Sequence, residues 1–165
     1  MEIFRGRRLW IEKRPVRLPN GVERESVIVH PGNAVAILPV EGNRCKLLRQ
    51  YRAAIRQYIY EAPAGTMEEG EDPMGTAYRE LIEETGYAAQ SIVPKGFIYT
   101  TPGYTDEKIF LFEARGLLPS QDYKKDEDEI IEVVDVAIND IAAMVADGTI
   151  CDAKTICLIY RCTGC

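Results

Sequence analysis

Acidic residues crowd one short part of the chain. Glu68, Glu69, Glu71 and Asp72 follow Gly65, and Arg79, Glu80, Glu83 and Glu84 precede Gly86. If the second group is helical, Glu80 and Glu84 stand one turn apart on one face, with Glu83 beside them. Like charges at that spacing repel by a few tenths of a kcal/mol per pair on an isolated helix. A hard cation relieves them: Mg²⁺ takes a few carboxylates and fills its remaining positions with water and substrate phosphate oxygens. Arg79 is spaced to hold one of the carboxylates in place. A solvated acidic helix face would carry the same residues, so the cluster alone leaves both readings open.

Other chemistries are pruned by counting. His30 is the single histidine, which removes any histidine-rich zinc site and leaves one residue for any Ser-His or Cys-His pair. The five cysteines include Cys157, Cys162 and Cys165 near the end. They read as reduced thiols, because a chain of this size has no need of staples. A Cys162-x-x-Cys165 metal or redox site is the weaker alternative, having no second pair at zinc spacing.

The 165 residues, 46% hydrophobic and 28% charged, suit one domain with a substantial core. The longest apolar runs, 34–40 and 109–112, fall well short of the ~20 residues that cross a bilayer. The first twenty residues carry Arg5, Arg7, Arg8, Lys13, Arg14 and Arg17 and no leader-like apolar run, which predicts a cytoplasmic chain. Net charge is −6, unevenly spread: residues 1–60 hold 12 basic and 5 acidic residues, the remainder 8 and 21. An acidic whole disfavours a nucleic-acid binder. A basic first third facing an acidic remainder suits a small anionic substrate held with a divalent metal.

These residues need elements to position them. Alternating segments at 9–18 and 22–29 flank Leu18-Pro19-Asn20-Gly21 and predict a β-hairpin. Strands are expected at 35–40, 45–49, 58–61, 92–99, 108–114 and 130–137, with residues 62–65 a loop. Asp72 is an N-cap, Pro73 sits at the first helical position and Gly86 ends the helix. Two more helices are expected at 139–147 and 153–161. Strands in runs with helices laid against them indicate an α+β fold or an α/β/α sandwich on a mixed sheet.

The full spacing now matters. Gly65, five residues, Glu71, seven residues, Arg79-Glu80-Leu81, one residue, Glu83-Glu84, one residue, Gly86 resembles the signature of the Nudix hydrolases at every fixed polar and glycine position. Tyr87 departs from it, standing where that family has an aliphatic residue. Further segments resemble the ADP-ribose pyrophosphatase subgroup: Pro102, sixteen residues beyond Gly86, within 101–107; Gln50-Tyr51-Arg52; Glu61-Ala62-Pro63-Ala64-Gly65; the acidic stretch 126–129; and Asp152-Ala153-Lys154-Thr155. The likeness runs from about residue 34 to 160.

The resemblance implies a Nudix-type α/β/α sandwich over 33–165, with residues 1–32 a hairpin arm that helps form a homodimer. It implies cleavage of the diphosphate of ADP-ribose or a related ADP-sugar to AMP and a sugar phosphate, with Mg²⁺ or Mn²⁺. Glu80 and Glu84 are then metal ligands, completed by the Ala64 carbonyl, and Glu83 is a further ligand or bridge. Arg79 steadies the acidic cluster. Glu129, and after it Glu127, is the candidate base, with Glu83 behind them. Arg52 is the candidate diphosphate clamp and Arg56 a poorer one. Glu61 would accept from a ribose hydroxyl, Trp10 would stack on adenine, and Gly103 lies in a substrate loop. Glu71 orients the box loop, and His30 is a turn residue. GDP-mannose or another nucleotide sugar, a damaged nucleoside triphosphate, and a non-catalytic ADP-ribose sensor are the alternatives.

Overall fold

The computed structural model describes residues 1–121 and 131–164. Its elements are β1 (Glu2–Arg5), β2 (Trp10–Arg17), β3 (Glu23–His30), β4 (Ala34–Glu41), β5 (Arg44–Arg52), β6 (Gln57–Glu61), β7 (Ala64–Thr66), α1 (Pro73–Thr85), β8 (Tyr87–Tyr99), β9 (Lys108–Pro119), β10 (Ile131–Ala137), α2 (Ile138–Ala146) and α3 (Ala153–Thr163).

A mixed sheet runs β10-β5-β4-β9-β8, with β6 on β5 and β7 on β4. The β4–β9 pair is parallel, while the others are antiparallel. Helices cover both faces, so β4 is buried throughout its middle rather than on alternate residues. Val35 and Ile37 pack with Ala77 and Leu81 of α1, Ile92, Phe112, Ala114 and Leu117. Ala36, Leu38 and Val40 face the other way, among Leu47, Leu111, Ile141 of α2, and Leu158 and Ile159 of α3. Each large side chain so buried is worth ~1.5–3 kcal/mol. The sandwich on a mixed sheet is therefore the architecture expected from the sequence.

One detail of the sheet creates the site. β4 and β5 pair only at the turn end of their hairpin, Val40 with Cys45 and Glu41 with Arg44. Beyond it the strands part, β4 taking β7 as neighbour and β5 taking β6 and β10. Ala34 and Val35 on one strand and Gln50 and Arg52 on the other line the cleft.

Three expectations need correcting. The N-terminal arm is a three-stranded sheet, because Glu2–Arg5 adds to β2 and the Met1 amino group reaches the Lys13 carbonyl at 2.8 Å. Ala64 and Gly65, in the expected loop 62–65, instead open β7 (Ala64–Thr66), which pairs with Ala34–Ala36 of β4. β8 begins at Tyr87 directly after the helix, where Ala88 and Ala89 pair with Leu118 and Leu117. The Tyr87 ring also receives the Lys46 ammonium, 4.4 Å from its centroid, which gives an aromatic residue a contact at that position.

The arm is tied to the body through the loop after β8. Val29 N–H donates to the Tyr104 carbonyl at 2.8 Å, and His30 Nδ1 lies 2.6 Å from Asp106.

Candidate active site

Helix α1 carries the acidic cluster, and its ends are fixed by local chemistry. The Asp72 carboxylate accepts from the backbone N–H groups of Met74 and Gly75, Pro73 opens the first turn, and Gly86 closes the last in the left-handed region at φ 76°. Ala77 and Leu81 anchor one side of the helix in the core, which turns Glu80, Glu83 and Glu84 toward the cleft. Glu80 and Glu84 are each only 9% exposed, while Glu83 is exposed.

Two buried carboxylates on one face need partners. Arg79 serves one of the two, Glu80, together with Glu83 and Glu71. Its Nη1 donates to Glu80 at 2.7 Å and to Glu83 at 2.9 Å, its Nε and Nη2 to Glu71 at 2.9 and 3.0 Å, and Nη2 also to the Thr66 carbonyl. Glu84 accepts from the Ala64 N–H at 2.7 Å. Gly65 has a steric reason: a Cβ built there would fall on the Glu80 carboxylate. β7 thus lies against the two acids through backbone alone.

Glu71 stands apart from the cleft lining and organises the loop before the helix. Its carboxylate accepts from Arg79, from the Glu68 N–H at 2.8 Å and from the Thr76 hydroxyl at 2.9 Å. Arg79 first, and those hydrogen bonds after it, lower its pKa to about 2.

Among the described residues no three acidic, thiol or imidazole groups are gathered closely enough to hold a metal as they stand. The donor set nevertheless fits a hard cation. Glu80 and Glu84 offer only oxygen donors, largely withdrawn from solvent at the cleft wall, and β7 approaches Glu80 as only glycine permits.

A second cluster, two cations paired with two acids, stands at the same cleft. Arg52 grips Glu61 with both guanidinium edges, Nε to Oε1 at 2.6 Å and Nη2 to Oε2 at 2.5 Å. Lys154 donates to Glu61 at 2.6 Å and to Asp152 at 3.0 Å. Glu61, expected to accept from a ribose hydroxyl, is instead 1% exposed beneath the cleft. Its backbone pairs with Leu48 inside the sheet, and its oxygens are already occupied. Burial pushes its pKa up, but Arg52 and Lys154 outweigh that and leave it below the ordinary value. Sequence reasoning placed Lys154 in the 152–155 segment but gave it no role, since its partner Glu61 is 93 residues away.

The cleft, about 1740 Å³, exceeds the ~300–1,000 Å³ usual for small-molecule pockets. Arg5, Arg7, Arg8 and Trp10 of the arm form part of its lining, alongside Arg52, Lys154, Glu80, Glu83 and Glu84. Trp10 stacks on His30 at 3.8 Å, so one face of the indole is already covered. His30 is the last residue of β3 rather than a free turn residue. Arg56 and Gly103 do not line the cleft. Arg56 sits in the turn between β5 and β6, and Gly103 in the exposed loop after β8. Glu127 and Glu129 lie outside the described residues. Cys162 is pushed up to about 12, chiefly by burial, so that thiol is no nucleophile.

Comparison with known proteins adds independent findings. A family model described as the NUDIX domain matches residues 30–158. An ADP-ribose pyrophosphatase of Bacillus subtilis (strain 168) is 38% identical over 157 residues, spanning 93% of this chain and 84% of that protein. A methanol dehydrogenase activator of Bacillus methanolicus is 35% identical, across 94% of this chain and 85% of that protein. A crystal structure of an ADP compounds hydrolase superposes with a TM-score of 0.87 at 23% identity, covering 99% of this chain and 89% of that one, and so shares the fold.

Proposed function

Because this chain belongs to the Nudix family, we propose that it hydrolyses the diphosphate of ADP-ribose or a related ADP-sugar, releasing AMP and a sugar phosphate. The observation that carries this reading is the pair Glu80 and Glu84, buried side by side on α1 under the β7 backbone, at the wall of a cleft that also presents Arg52. Similarity to an ADP-ribose pyrophosphatase along almost the whole chain supports the substrate class.

Nudix proteins typically depend on a divalent metal. Here Glu80 and Glu84, with Glu83 and the Ala64 carbonyl, would hold Mg²⁺ or Mn²⁺. The ion supplies Lewis acidity toward the diphosphate and the attacking water. The remaining work falls to the chain. Arg52 takes the diphosphate's negative charge, its guanidinium aimed by Glu61. Arg79 keeps Glu80 and Glu83 oriented. Glu129, or failing it Glu127, accepts the proton of the attacking water, and Trp10, whose ring holds His30 at 3.8 Å and the Arg5 guanidinium at 5.2 Å, is the candidate to stack on adenine. The same reading makes residues 1–32 a dimerisation arm beside a 33–165 hydrolase domain, in a cytoplasmic homodimer without nucleic-acid or membrane partners. Among the described residues no helix is long and apolar enough to cross a membrane.

The test is a substrate panel with Mg²⁺: ADP-ribose, GDP-mannose, diadenosine polyphosphates and 8-oxo-dGTP. ADP-ribose is expected to show the highest kcat/KM with AMP as product. A higher value for GDP-mannose moves the substrate, and binding of ADP-ribose without turnover makes the chain a sensor. Glu129→Gln is expected to lower kcat more than Glu127→Gln, and no loss from either returns the base role to Glu83.

A further inference from the structure

Glu61 has more cation than its burial requires. A carboxylate 1% exposed must be paired, since an unmatched buried charge is strongly destabilising. The two-pronged Arg52 contact already serves both oxygens, at 2.6 and 2.5 Å. Lys154 nevertheless adds a third bond to Oε2 at 2.6 Å. Its other acceptor, Asp152, is also provided for without it, as Asp152 caps α3 through the Thr155 N–H at 3.0 Å and the Thr155 hydroxyl at 2.6 Å. Glu61 is turned inward, its side chain 2% exposed, while Arg52 and Lys154 line the cleft together with Asp152. An ammonium has three N–H donors, and the described residues offer Lys154 two acceptors.

We propose that Lys154 is a second anion-binding residue, which donates with Arg52 to the phosphate oxygens of a diphosphate, and that Glu61 is the positioning residue that sets the two cations side by side. Both cations line the cleft that Glu80 and Glu84 line. A diphosphate held at one end by the metal that Glu80 and Glu84 would bind would meet Arg52 and Lys154 at the other. Strand β6 and helix α3, far apart in sequence, are joined here by the Ala62 N–H donating to the Thr155 hydroxyl at 2.8 Å, which fixes the spacing of Glu61 and Lys154.

The inference rests on the hydrolase reading for its substrate, and its test is arranged to separate the two. Inorganic pyrophosphate is titrated into the metal-free full-length protein by calorimetry, for wild type, Lys154→Met, Lys154→Arg and Glu61→Gln, alongside steady-state kinetics with ADP-ribose and Mg²⁺. Lys154→Met is expected to weaken pyrophosphate roughly 10- to 100-fold, the worth of one hydrogen bond between charged groups, and to raise KM for ADP-ribose more than it lowers kcat. Lys154→Arg retains most of the affinity. Glu61→Gln lowers it while both cations are still present, because they lose their common anchor. Unchanged pyrophosphate affinity in Lys154→Met overturns the assignment, even if its melting temperature falls, since a purely structural Lys154 behaves that way. A wild-type protein that does not bind pyrophosphate overturns it too. Pyrophosphate binding that depends on Lys154 in a protein inert toward ADP-ribose keeps the anion site and removes only the hydrolase reading.

Discussion

Gly65→Ala adds one methyl group where β7 passes over α1, and the added carbon lands on the Glu80 carboxylate. The obstructing atoms are the far end of a flexible side chain, so Glu80 rotates away and the backbone stays. That rotation breaks the 2.7 Å bond from Arg79, a charge-assisted contact worth ~1.5–3 kcal/mol when well shielded. The lower end applies, because Arg79 keeps Glu71 and Glu83. The φ of Gly65 lies outside the left-handed region, so alanine fits the backbone and returns ~0.4–1 kcal/mol through the unfolded chain. The net loss is about 1 kcal/mol, or a fall of about 2–4 °C in Tm for a chain of this size. Activity responds on another scale. Displacing a proposed metal ligand forfeits several kcal/mol of transition-state stabilisation, and each 1.36 kcal/mol is tenfold, so kcat is expected to fall about 100-fold or more. AMP release from ADP-ribose and thermal unfolding are measured on the same samples. A kcat within about threefold of wild type refutes the reasoning, as does an activity loss that merely follows global unfolding.

Two other perturbations separate helix stability from the acidic cluster. Asp72→Ala removes the cap that accepts from Met74 and Gly75 and costs about 1 kcal/mol, read as a Tm lower by about 2–4 °C with kcat/KM for ADP-ribose near wild type. Arg79→Met acts through pH. Glu71 falls from 4.5 to about 2 chiefly because of Arg79, so the stability this pair contributes is complete above pH 4.5 and disappears as pH drops toward 2. The Tm gap between wild type and Arg79→Met is therefore expected to be full at pH 7 and to narrow between pH 4.5 and 2; a gap that stays constant across that window contradicts the account.

What the sequence revealed follows the range of the forces involved. Helix α1 was legible to its ends because Asp72, Pro73 and Gly86 act within one turn of the residues they serve. The acidic face was legible because helical spacing is local. β1 was not, since Glu2–Arg5 is a strand only by virtue of pairing with β2. β7 was hidden by Pro63 and Gly65, which read as loop residues until β4 supplies a partner. The inversion of Glu61, from ribose contact to buried anchor, depends on Lys154 arriving from α3. No local pattern encodes that meeting. Arg52 was found by its charge and place before the box, but its aim comes from Glu61. The arm's contribution to the cleft, through Arg5 to Trp10, depends on the docking of Val29 and His30 against the loop at 104–106.

The α1 carboxylates are proposed to make this cleft a metal-dependent diphosphate hydrolase. Glu84→Gln tests this most directly, because the new amide oxygen can still accept from the Ala64 N–H, now at 2.7 Å, while the ligand charge is gone. With folding checked by Tm, Mg²⁺ binding by calorimetry and AMP release from ADP-ribose are compared with wild type. The account predicts Mg²⁺ affinity sharply reduced and turnover down about 1,000-fold or more in a protein that melts like its parent. Turnover within about tenfold of wild type would contradict it.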